Sequence, residues 1–197
     1  MILRIIILLI PFFCLAQFKI NNPTGWTDYS SGNEEKLNRI TVLGSKLTDA
    51  LIESSDLNLK NFTELNYYTK HDVYSNESNR SIPAIRVYML KNYMNKSFKE
   101  LKEYYLNSLK AMEGNGMGYE NVKITEAKNI TINGKTGIEF RIEFEFFNQY
   151  LKSIEKHRGR SYYFFISENY YLQINMNDTQ YDKCDSIFDR TLAKIKF

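Results

Sequence analysis

The chain has 197 residues, with 26 Lys and Arg against 23 Asp and Glu, a formal charge of +3 and 15% aromatic side chains. So even a balance excludes the sustained positive field of a nucleic-acid-binding surface. Abundant Tyr and Phe, with no low-complexity tract or Gly/Ser linker, exclude a disordered chain.

The first predicted element is a leader. Arg4 precedes an uncharged apolar run from Ile5 to Phe13, and Cys14 and Ala16 occupy the small-residue positions of a cleavage site before Gln17. The run is too short to anchor across about 30 Å of hydrocarbon. Pro11-Phe12-Phe13 places bulky side chains where a lipobox needs small ones, which argues against acylation of Cys14. Residues 1–16 are therefore read as a signal peptide of bacterial style. Residues 17–197 are read as one exported domain, periplasmic or extracellular and not membrane-spanning. Loss of Cys14 with the leader leaves Cys184 without an intramolecular partner, so the fold cannot depend on a disulfide and the thiol is expected to be buried and inert. Six N-x-S/T sequons, at Asn61, Asn76, Asn79, Asn95, Asn129 and Asn177, are read as products of an Asn-rich chain rather than glycosylation sites.

Along the mature chain, Phe18-Lys19-Ile20 is extended, and Asn22 to Trp26, with Pro23 and Gly25, predicts a turn that delivers Trp26 to the core. Leu37, Ile40, Leu43, Leu47 and Leu51 recur at helical spacing and predict a helix from about Glu34 to Glu53. A strand is expected near Leu65 to Val73 and a better one from Ala84 to Leu90. Ser97-Phe98-Lys99-Glu100 is a capping box that starts a helix with Tyr105 on its apolar face. The glycines from Gly114 to Gly118 follow a helix and precede a strand, the reverse of a phosphate-binding loop, and read as a connection. Asn133-Gly134 marks a two-residue hairpin. Next comes a strand with Ile138, Phe140, Ile142, Phe144 and Phe146 on one face and Glu139, Arg141, Glu143 and Glu145 on a solvated other. Tyr162–Ile166 and Tyr170–Met176 form a further pair, turning at Glu168-Asn169. Tyr181 to Leu192 reads as a helix burying Cys184, Ile187 and Phe188, and the last five residues as a short strand or docked tail.

Taken together, Phe18-Lys19-Ile20 with Pro23-Thr24-Gly25-Trp26, the Ile82–Val87 strand, the Ser97 helix, the Asn-Gly hairpin and the Tyr181–Phe197 segment resemble the PsbP-like superfamily of secreted proteins, which includes the PsbP and DcrB types. The resemblance implies an α+β fold, an α/β/α sandwich whose central antiparallel sheet carries helices on both faces. It also implies action by docking onto other proteins rather than by catalysis. The segment from Leu57 to Ser81 is longer and more polar than that family leads one to expect, and no motif of the plant protein's metal site can be matched.

No catalytic, cofactor-binding or metal residues are predicted. His71 and His157 are the two histidines, each in charged sequence without a nucleophile motif, and His71-Asp72 lacks a spaced third ligand. The alternating glutamates of the 139–145 strand have the period of a solvated sheet face, not of a glycosidase pair. The candidate contact surface is the basic run Lys152, Lys156, His157, Arg158 and Arg160, read as a loop between two apolar strands that docks to an acidic patch on an envelope protein or to anionic lipid or glycan. The plainer reading of that run is a solvated turn. The expectation is thus a secreted, non-enzymatic binding or accessory protein with an envelope-protein partner. The alternative is a small-ligand or glycan carrier using a groove lined by the doublets Tyr67-Tyr68, Tyr104-Tyr105 and Tyr170-Tyr171.

Overall fold

The computed structural model describes residues 18–30, 62–73, 78–91, 98–111, 119–167 and 170–197. The leader, the Glu34–Glu53 helix, the Ser97 cap, the glycine connection at 114–118 and the Glu168-Asn169 turn lie outside the described residues. In chain order the elements are β1 (Thr27–Asp28), β2 (Phe62–Thr69), β3 (Ala84–Lys91), α1 (Phe98–Lys110), β4 (Tyr119–Ile132), β5 (Lys135–Asn148), β6 (Ser153–Ser167), β7 (Tyr170–Thr179) and α2 (Asp185–Ala193). The strands form one antiparallel sheet in the order β1-β2-β3-β7-β6-β5-β4.

This architecture overturns the expected α/β/α sandwich. Among the described residues the fold is dominated by its sheet, and the helices, of 13 and 9 residues, are short packing pieces rather than layers. The cause lies in the second half of the chain. Strands β4, β5 and β6 run 14, 14 and 15 residues, against a usual length of about five or six. Ile, Thr, Tyr and Phe recur there at alternate positions, and that pattern stays extended where a helix would need a period of 3.6.

Alternation sends successive side chains to opposite faces. On one face Ile85, Val87, Phe164, Leu172, Ile174 and Met176 meet Phe188 and Leu192 of α2, together with Trp26 and Ile195. On the other, Tyr88, Leu90, Ile138, Phe140, Tyr163 and Tyr171 gather around Tyr105 of α1. The Tyr105 and Tyr163 ring centroids lie 3.9 Å apart, and the Tyr105 and Tyr171 hydroxyls are 2.9 Å apart.

Local signals in the sequence explain the connections. The Trp26 amide donates to the Pro23 carbonyl at 3.0 Å, and Trp26 is buried. Asn133 and Gly134 both take positive φ, 48° and 79°, the left-handed pair that a type I′ hairpin turn requires. Gly137 has a different reason to be glycine: a Cβ there would sit 2.6 Å from the Tyr163 carbonyl and from the Phe164 ring. The ends of the described chain meet, since Lys19 pairs antiparallel with Lys196 through backbone bonds of 2.9 and 3.0 Å. Helix α2 begins at Asp185 rather than at the expected Tyr181. The intervening residues are held in a turn by the Asp182 backbone amide donating to the Thr179 carbonyl at 3.1 Å, and the Cys184 amide donates to the Asp178 carboxylate at 2.8 Å.

Candidate functional site

The basic run predicted as a loop is mostly strand. Lys152 alone sits in the turn, with φ 51°, and β6 carries Lys156 to Arg160 through the middle of the sheet. Arg158 grips Asp178 in a bidentate pair, 3.0 Å from Nε and 2.5 Å from Nη2, and reaches Asp185 at 2.9 Å. Arg160 holds Asp189 at 2.6 Å and also bonds Asp185. Asp185 and Asp189 are one helical turn apart, so both carboxylates fall on the α2 face turned to β6. These arginines therefore clamp α2 to the sheet, and bidentate guanidinium–carboxylate pairs of this kind fix orientation as well as adding attraction.

His157 points to the opposite face and is buried, with its ring stacked on Phe144 at 5.0 Å and edge-on to Phe146 at 6.1 Å. Its Nε2 is buried without a hydrogen-bond partner. Burial holds its pKa below the usual imidazole value, while Glu155 and Asp178 pull the other way. Of the five predicted contact residues, Lys152 and Lys156 are exposed, Arg158 is partly so, and His157 and Arg160 are buried. Lys156 is 69% exposed and stands 3.7 Å from Glu145.

Beside those two lysines lies a feature the sequence reading missed. At the end of the β5–β6 hairpin, Phe147 and Ile154 pair directly across the strands, 45% and 48% exposed, and Tyr150 in the turn is 76% exposed. The turn is braced from below. Asn148 Oδ1 accepts from the Tyr150 and Leu151 amides at 3.0 and 3.1 Å, and its Nδ2 donates to the Asn79 carbonyl and to Glu155, each at 2.8 Å. Glu155, fully buried, also accepts from the Ser81 hydroxyl at 2.7 Å. A buried network with its partners in place rigidifies what it holds. The signal was present in sequence as Phe-Phe-Asn-Gln-Tyr-Leu from Phe146 to Leu151, an apolar stretch running into a turn.

The tyrosine doublets do not line a groove among the described residues. Tyr67, Tyr68, Tyr105 and Tyr171 are buried, and Tyr105, Tyr163 and Tyr171 pack on one another. A shallow, open depression of about 600 Å³ lies instead at the C-terminal tail, between Asn133, Lys194, Lys196 and Phe197.

The tyrosine face does carry two polar rows, set by register. One runs Tyr67, Arg86, Asn175, Ser161 across β2, β3, β7 and β6, and the next runs Glu64, Tyr88, Gln173, Tyr163. The Arg86 guanidinium sits 4.2 Å above the Tyr67 ring, a cation–π distance, and donates to the Tyr88 hydroxyl at 3.4 Å. Burial pushes the Glu64 carboxyl up against the pull of Arg86 and Tyr88, and raises Tyr88 to about 12. Glu64 Oε1 is buried with no hydrogen-bond partner.

Among the described residues no group of three or more His, Cys, Asp and Glu could hold a metal ion. Asp72 accepts from the Tyr29 hydroxyl at 2.9 Å, and His71 is exposed. Cys184 is free and buried, and burial pushes its thiol up to about 11, the setting of an unreactive cysteine. No described helix is long and apolar enough to cross a membrane. No protein-family model and no curated protein matches this chain.

Proposed function

We infer that the chain is a secreted, non-enzymatic binding or accessory protein that docks by its β5–β6 hairpin tip onto a protein of the cell envelope. The observation that carries this reading is the exposure of Phe147, Tyr150 and Ile154 side by side on a turn locked by Asn148 and Glu155. An apolar patch held rigid and left in water costs hydration free energy that a partner's surface recovers. Rigid aromatic anchors lose little conformational entropy on binding, so they dominate interfaces of this kind. Lys152 and Lys156 stand beside the tip as a cationic rim, which fits a partner pocket of apolar floor and acidic margin. The export signal read at residues 1–16 and the docking role implied by the PsbP-like resemblance agree with this reading.

The test is site-specific photo-cross-linking in cells, with the reactive residue placed at Tyr150 and, as a control, at exposed Asn129 on β4. A single envelope protein captured from Tyr150 and not from Asn129 is expected. The purified partner should bind the wild type and lose that binding to a Phe147→Ser/Ile154→Ser variant. Capture of lipid alone from Tyr150, or equal products from both positions, would overturn the docking role.

A further inference from the structure

The turn between β4 and β5 does more than reverse the chain. Asn133 and Gly134 are both exposed, and a Cβ on Gly134 would meet nothing within 4 Å. The Asn133 side chain reaches out of the turn to the C-terminal tail, where Nδ2 donates to the Ile195 carbonyl at 2.6 Å and to the Ala193 carbonyl at 3.5 Å. Ala193 is the last residue of α2, so its carbonyl belongs to the negative end of that helix. Behind this contact the tail is seated on the sheet. Ile195 is fully buried, and Lys196 exchanges backbone bonds with Lys19. The Phe197 ring packs on Phe164 at 4.8 Å and on Phe18 at 6.1 Å.

We propose that Asn133 is a deamidation site coupled to the seating of the C-terminal tail: the seated tail protects the amide, and loss of the amide unseats the tail. Asn followed by Gly is open to this reaction because no side chain on the second residue hinders attack. The Gly134 backbone nitrogen, giving its proton to water or hydroxide, attacks Cγ of Asn133. Ammonia leaves, carrying Nδ2, and a succinimide ring closes. Water then opens the ring at either carbonyl to give aspartate or isoaspartate. Two features hold the reaction back while the tail is in place. The departing nitrogen is the atom that donates to Ile195, and the left-handed pair of φ angles, 48° and 79°, fixes the turn against the rearrangement that attack requires. The product reverses the chemistry of the contact. A carboxylate has no proton to give Ile195, and it sets negative charge against the C-terminal end of α2. Isoaspartate also adds a backbone carbon to a two-residue turn whose length sets the strand register.

The experiment ages the mature chain and a Phe197→Ser variant in mildly alkaline buffer, with peptide mass mapping to count conversion at Asn133. Asn129, exposed but followed by Ile130, is the internal control. Loosening the tail by removing the Phe197 ring is expected to speed conversion at Asn133 about tenfold and leave Asn129 unchanged. In the reverse direction, Asn133→Asp should speed hydrogen exchange of the Lys19 and Lys196 amides about tenfold, the loss of one hydrogen bond. Dispersed resonances of Phe164 and Leu172 report that each variant is folded. Equal conversion in the two proteins, or none in either, would overturn the coupling. So would Lys196 exchange that is unchanged or slower in Asn133→Asp, the result if Lys194 or Lys196 captures the new carboxylate.

Discussion

The two faces of the sheet are built from the same strands and do different work. Toward α2 the enclosed side chains are mostly aliphatic, with Trp26, Phe164 and Phe188 among them, and the charged groups at the margin are paired: Arg158 with Asp178, Arg160 with Asp189. Toward α1 the enclosed side chains are largely tyrosines, and polar atoms are left over: Glu64 Oε1 and His157 Nε2 are buried without partners. A face that satisfies every group has nothing to offer a ligand, and one that leaves groups unmet sacrifices stability. The α2 side thus holds the fold, and the α1 side carries buried polar groups at a cost in stability.

The strongest way to break the contrast is to empty the dry side. Phe188→Ala removes the ring that meets Trp26 at 6.3 Å and is expected to cost about 3–5 kcal/mol, read as a lower denaturant midpoint at unchanged slope. Cutting the clamp is next. Asp178→Ala leaves Arg158 and the Cys184 amide without their shared acceptor and should cost about 2–3 kcal/mol in chemical denaturation. If either variant is as stable as the wild type, the α2 side does not hold the fold.

On the α1 side the effects are smaller and depend on pH. Burial lowers the folded-state pKa of His157, so the unfolded chain takes up a proton first as pH falls. Stability is then complete above the ordinary imidazole pKa and declines below it, and the melting temperature should drop between about pH 7.5 and about pH 5.5. His157→Phe, which keeps the stack on Phe144 without the ring nitrogens, should flatten that acid limb. Glu64 has the opposite sign. Its folded-state pKa is raised, so its contribution is present below the ordinary carboxyl value and lost as pH rises. Glu64→Gln should therefore raise the melting temperature slightly near pH 7 and match the wild type near pH 4. A residue that improves stability when replaced would sharpen the division between the faces.

Much of this was legible before any coordinates, wherever a local rule sufficed. The Asn133-Gly134 turn, the core places of Trp26, Cys184 and Phe188, and the Ala84–Leu90 strand follow from turn chemistry and periodicity, which neighbouring residues settle by themselves. The loop reading of the basic run failed because Arg158 and Arg160 look solvated until Asp178, Asp185 and Asp189 arrive from β7 and α2. Glu139 failed for the same reason: placed on a solvated face, it is only 4% exposed, bonded by Arg141 at 2.6 Å and by the Tyr162 hydroxyl at 3.2 Å. The expected sandwich came from the family resemblance rather than from periodicity, and the 14 to 15 residues of each of β4 to β6 make the sheet dominate instead. That Glu64 stands opposite Tyr88, one row from Arg86, could not be read at all, since it depends on the register between strands, including the irregularity between Glu64 and Asn66.

The strand order also sets how the molecule assembles. Strands β4 to β7 follow one another as neighbours in the sheet, so their hairpins close over short turns such as Asn133-Gly134. The ladder between β3 and β7, in which Val87 faces Ile174, joins segments far apart in sequence and carries the larger loop-closure entropy. The meander is thus expected to fold first and the β2–β3 hairpin to join it late, so that Val87→Ala speeds unfolding more than it slows refolding in stopped-flow measurements. The polar rows span that late seam, with Arg86 on one side and Asn175 on the other, so they are complete only once the last hairpin has docked.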